Sequence, residues 1–117
     1  MANFNSSALI SESNPLPVTA AAGYEAVAAG QTDQVMGTNG AVGDTLLGFL
    51  ISPATTSPGA VSVKDGSGTG ITIFTGGASS VADLKPFFVT LGMRSAAGPW
   101  KVTTGANVSA IAIGNFS

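Results

Sequence analysis

The chain has no cysteine and no histidine among its 117 residues. Without cysteine there is no disulfide, no thiolate nucleophile and no zinc ribbon. Without histidine, the usual general base near neutral pH and the commonest metal ligand are both missing. Charge is scarce as well: 9% of residues are charged, against about 25% in ordinary soluble domains. The cations Lys64, Lys85, Arg94 and Lys101 are spread along the chain, as are the acids Glu12, Glu25, Asp33, Asp44, Asp65 and Asp83. Nucleic-acid binding needs gathered Lys and Arg that displace counterions, so no nucleic-acid partner is expected. The longest strongly apolar run, Leu46–Ile51, is too short to cross a bilayer, and no membrane partner is expected. Met1–Asn5 carries no basic residue and no apolar run follows it, so no signal peptide is expected and the chain should first act in a cytoplasm.

What remains is hydrophobic, hydroxyl-rich and rich in glycine. Hydrophobic residues make up 44% and glycines number 16, enough for one packed domain of ordinary size. With so little charge, the surface must consist mainly of Ser, Thr, Asn, Gly, Ala and backbone. Such a surface suits cover by other protein better than dispersal as a lone monomer.

Composition divides the chain near Gly40. Residues 1–40 hold few large apolar groups, and Pro15 and Pro17 force local extension. Gly23 and Gly30 interrupt the alanine runs 20–22 and 26–29, so any helix there is short. This region is expected to be an extended arm with strand-like pieces at 17–20 and 34–36. It should order against its own sheet or a neighbour, and removing residues 1–30 should leave a folded domain. From residue 41 onward, alternating apolar positions and turn signals predict about six to eight strands, hence an all-β fold: a single β-sandwich or jelly-roll-like domain. Residues 44–51 form a strand apolar on both faces, with Leu46 and Leu50 opposite Leu47, Phe49 and Ile51. Residues 60–75 form a hairpin turning at Asp65–Gly68. Phe87, Val89, Leu91 and Met93 share a face, and so do Ser109, Ile111 and Ile113, with Ala110 and Ala112 opposite. Asn39-Gly40 and Thr104–Asn107 carry hairpin-turn chemistry. There is no long repeat.

No motif for chemistry stands out. Gly66–Gly70 has neither the spacing nor the Gly-Lys-Ser/Thr ending of a phosphate loop, and a strand follows it. Asp65–Gly68 offers one carboxylate where calcium loops use several. No catalytic residue, cofactor or metal ligand is assigned, and the chain is not expected to be an enzyme. Asn5-Ser6-Ser7 and Asn107-Val108-Ser109 match the glycosylation pattern by chance. Trp100 and Tyr24 are a conceivable sugar platform, but a lone Trp in a β domain is usually core. If Leu91, Met93, Ile71 and Ile73 point inward, Phe49, Phe74 and Phe88 point away and need another cover. These three, with Leu16 and Val18 of the arm, are the expected interface residues.

The segments Pro53–Thr56, Gly59–Gly66, Ile71–Phe74 and Gly98–Val108 make the stretch 46–116 resemble small virion proteins of tailed bacteriophages. The resemblance implies a capsid decoration (cement) protein, bound to the exterior of a shell of major capsid protein and assembled in the host cytoplasm. It implies a sandwich or jelly roll that self-associates, often as a homotrimer, and it carries over no functional residue. A tail, fibre or head-spike module and a free-standing carbohydrate-binding β module are the alternatives.

Overall fold

The computed structural model describes residues 23–117. They form eight strands: β1 (Gly23–Val27), β2 (Gln34–Val35), β3 (Thr45–Pro53), β4 (Val61–Asp65), β5 (Ile71–Phe74), β6 (Phe87–Arg94), β7 (Trp100–Thr104) and β8 (Val108–Asn115). The strands make two four-stranded sheets, β1-β8-β3-β6 and β2-β7-β4-β5, with every neighbouring pair antiparallel. Strands 1–8, 2–7, 3–6 and 4–5 pair as in one long ribbon folded back on itself. Rolling that ribbon brings β8 beside β3 and β7 beside β4, which closes two Greek keys into a jelly roll. The expected all-β sandwich is therefore the fold. Among the described residues no helix is long and apolar enough to cross a membrane.

The topology changes what the turns mean. Only β4 and β5 are consecutive strands of one sheet. Their turn is held by Gly68 N–H donating to the Asp65 carbonyl at 2.9 Å, and Gly66 adopts φ 60° there. Asn39-Gly40 and Thr104–Asn107, expected to close hairpins, instead carry the chain from one sheet to the other. Asn107 does take the left-handed conformation its chemistry favours, φ 62°. A turn sequence specifies a bend, whereas the pairing partner is chosen by packing.

The core lies between the sheets and is built by alternation: Leu46, Phe49 and Ile51 from β3, Val61 and Val63 from β4, Trp100 and Val102 from β7, and Val108, Ala110 and Ala112 from β8. Small alanines on the central strand β8 leave room for the large rings of Phe49 and Trp100, so large and small residues interdigitate. The Trp100 Nε1–H donates to the Asp44 carbonyl at 2.9 Å, which satisfies its one polar group. Residues 23–40 supply an edge strand to each sheet, and Val27 and Met36 are fully buried. The arm pieces behave differently: 34–36 overlaps β2, whereas 17–20 lies outside the described residues. Truncation at residue 30 would remove β1 and the core side chain Val27, so that cut should destabilise the domain.

Two β-bulges reassign two of the expected interface residues. Between Leu46 and Gly48 the register of β3 shifts, with Leu47 extra against β8 and the extra residue against β6 lying on β6, between Thr90 and Met93. The extra residue, Leu47, turns outward, and Leu46 and Phe49 end on the same inner face rather than on opposite ones. In the β4–β5 pair a shift between Val61 and Ser62 brings Phe74 opposite Val61, on the core side. Phe49 is fully buried and Phe74 packs half-buried against the core, its ring edge-on to Phe87 at 5.2 Å. A simple period-of-two count fails beyond a bulge because one inserted residue flips every later side chain.

Candidate interaction surface

The outer face of the β1-β8-β3-β6 sheet follows from its register, because directly paired residues of antiparallel strands share a face. One row crosses the sheet as Ala26, Ile111, Leu50 and Phe88. The next row is Tyr24, Ile113, Gly48 and Thr90. Ser52 and Ser109 extend the face at one end, and the bulged Leu47 projects beside it. Tyr24 is 76% exposed and Phe88 49%. Leu50, Ile111 and Ile113 are half-buried by their neighbours. Gly48 is required in the middle: a Cβ there would meet the Val89 carbonyl oxygen and stand 2.6 Å from the Phe88 ring carbon Cζ, so the ring lies over the bare glycine.

No charged side chain lies in these two rows. Glu25 alternates to the other side of β1, where its carboxylate accepts from Gly37 N–H at 2.7 Å and from the Gln34 amide at 3.0 Å. Arg94 sits at the margin, its Nε 3.5 Å from the Gly43 carbonyl. The outer face of the second sheet is different. Lys64 pairs directly with Lys101, and Ser62 with Thr103 and Thr72. Two lysines placed opposite each other repel; Asp33 relieves this by bonding Lys64 Nζ at 3.2 Å and Thr103 Oγ1 at 3.3 Å.

Of the expected interface residues, the structure places Phe88 on the uncharged face, Phe49 in the core and Phe74 against the core. Leu16 and Val18 lie outside the described residues. Tyr24, Leu50, Ile111 and Ile113 were not anticipated. The signal for the last two was present in the sequence: a strand with alanines on one side and isoleucines on the other must choose which side to bury. Packing buries the alanines. Trp100 is buried and cannot stack on a sugar.

An open cleft of about 600 Å³ at one end of the sandwich is lined by Tyr24, Glu25, Asp44 and Ser117 among others. Both of its carboxylates are committed to the fold. Asp44 accepts from Ser117 N–H at 3.0 Å, Ser117 Oγ at 2.7 Å and Ala41 N–H at 3.0 Å. Burial pushes this carboxyl up, but those hydrogen bonds outweigh it and hold it below the ordinary aspartate value. A general acid at neutral pH needs the opposite shift. Asp65, near Trp100 at the same end of the sandwich, is held low by the N–H groups of Ala96, Ala97 and Gly98 against an upward push from burial. Among the described residues no three His, Cys, Asp or Glu side chains gather where they could hold a metal. No known protein family, characterised protein or solved structure matches this chain.

Proposed function

We propose that this chain is a structural, non-catalytic virion protein that decorates and stabilises a bacteriophage capsid. In this reading it seats the outer face of its first sheet on the exterior of the major capsid protein shell and self-associates, with a homotrimer favoured. The observation that carries the reading is the uncharged apolar face from Tyr24 to Phe88. Large exposed apolar faces on small proteins mark interaction sites, and such a contact demands no chemistry. Jelly rolls recur in viral coats, although they also recur in lectins, so architecture supports the reading only by analogy. Repetition over a symmetric shell turns individually weak contacts into firm attachment. A sugar-binding module is the weaker reading, because Trp100 is buried and the other exposed ring of the face, Phe88, stands three strands away from Tyr24. Quantitative mass spectrometry of purified particles from the producing host tests the proposal. Hundreds of copies per particle support a shell protein. Tens of copies point to a tail, fibre or vertex part, and absence from particles overturns both.

A further inference from the structure

We propose that copies of this chain associate with one another through the open long side of the sandwich, where the edge strands β5 and β6 form two lips. The inference rests on the self-association in the reading above and names its surface; it does not depend on a shell.

The two long sides of the sandwich are unlike. On the β1–β2 side the core is sealed: Val27 is 1% exposed and Met36 0%. The β5–β6 side is open. Register places Ile71 opposite Val63 and Phe74 opposite Val61 on the core side of β5. It places Phe87, Val89 and Met93 opposite Ile51, Phe49 and Leu46 on the core side of β6. Those partners on β3 and β4 are buried, yet Phe74, Phe87, Val89 and Met93 are only half-buried and Ile71 is 44% exposed. Phe74 and Phe87 meet edge-on and draw the lips together at one end.

Charge and the bulges say what fits this side. Identical copies carry identical charges, so a contact between them must be nearly free of charge. Strands β5 and β6 hold one charged side chain, Arg94, at the very end of β6. An added strand from another protein is the competing occupant, and both lips are irregular. Ile73 is extra between Thr72 and Phe74 against β4, and Leu91 and Gly92 lie between Thr90 and Met93 with Gly92 at φ 78°. Bulges disrupt the ladder that an added strand needs, so side chains make the contact. The strip is about 27 Å long and about 10 Å wide, from the rise per residue along β6 and the spacing of packed sheets. That area is well under the roughly 800 Å² each partner gives to a stable pair. One contact between two copies is therefore weak. A ring, with the β6 lip of each copy on the β5 lip of the next, holds every copy twice and closes on itself. The smallest such ring is a homotrimer.

Analytical ultracentrifugation of the purified full chain, from micromolar to millimolar concentration, tests this. Wild type is compared with Ile71→Lys on the open side and Ile111→Lys on the outer face of the first sheet, each checked for folding by circular dichroism. Wild type should pass from monomer to one closed oligomer, Ile71→Lys should stay monomeric, and Ile111→Lys should assemble as wild type does. A wild type that is monomeric throughout overturns the inference. So does assembly by Ile71→Lys, or its loss in folded Ile111→Lys. If Ile71→Lys fails to fold, wild type alone decides: hydroxyl-radical oxidation of Met93 should fall severalfold as the oligomer forms, and an unchanged rate overturns the inference. A monomeric wild type that is still counted in hundreds of copies on particles would remove this surface and leave the attachment reading standing.

Discussion

The two sheets have the same number of strands and share one core, yet they show solvent opposite chemistry. The outer face of β2-β7-β4-β5 carries Lys64, Lys101 and a row of Ser and Thr, with Asp33 balancing one lysine. It is the usual solvated back of an antiparallel sheet. The outer face of β1-β8-β3-β6 carries Tyr24, Leu50, Phe88, Ile111 and Ile113 and no charge in its two central rows. Among the described residues no charged side chain stands in those two rows, and Arg94 sits at their margin. The two outer faces of the described residues thus differ in charge, and the proposed attachment uses the uncharged one.

The contrast depends on both sheets being held in place, so the largest effect should come from the core. Phe49→Ala empties a fully buried ring site between the sheets and should cost about 3–5 kcal/mol, read as a lower denaturant midpoint. Phe88→Ala, the same truncation on the outer face, should cost far less. If the two losses were equal, the assignment of inside and outside on β3 and β6 would be wrong.

The next effect concerns Asp44, which ties residue 117 and the loop at Ala41 to the start of β3. Asp44→Ala leaves these donors unpaired and should cost about 1–3 kcal/mol at pH 7. The unfolded carboxyl titrates near about pH 3.9 and the folded one lower. The wild type thus gains stability above that value and loses it as pH falls through the lower folded value. Thermal unfolding between pH 2 and pH 7 should show a steeper acid loss in the wild type than in Asp44→Asn. Parallel curves would contradict this role. Asp65 contributes acid sensitivity of the same sign in both proteins.

A smaller change in stability with a sharp change in binding should follow Ile111→Lys. A lysine on the half-exposed outer face can extend to water and should cost about 1 kcal/mol or less in stability. It should nevertheless weaken attachment at least about tenfold, equivalent to about 1.4 kcal/mol. Ser62→Lys on the other sheet should leave attachment unchanged. Retention of each variant on particles, counted by mass spectrometry, makes the comparison. The smallest effect is Asp33→Asn, which removes an exposed ion pair and exposes the Lys64–Lys101 repulsion. It should cost about 0–1 kcal/mol and less at high salt.

Much of the fold was legible in the sequence because alternation and turn residues are local signals. β4, β5, the shared face of β6 and the two-sided character of β8 follow from them directly. β1 was hidden because Gly-Tyr-Glu-Ala-Val sits among alanines and glycines of low strand propensity; its place comes from pairing with β8. The sides of Phe49 and Phe74 were hidden by bulges, which have no reliable local signature. The uncharged outer face was legible only in part. Phe88 follows from alternation, whereas Tyr24, Leu50, Ile111 and Ile113 come together from four separate pairings set by the roll of the ribbon. Which turns cross between sheets is likewise a property of the whole chain and not of any turn.

The central claim is that the uncharged sheet face is the attached side and the lysine-bearing face is the free one. Cryo-electron microscopy of particles carrying the chain tests it most directly. The account predicts density of another subunit within contact distance of Ile111, Ile113 and Phe88, with Lys64 and Lys101 facing solvent. The reverse orientation, with the lysine face on the shell and the apolar face open to water, would contradict it.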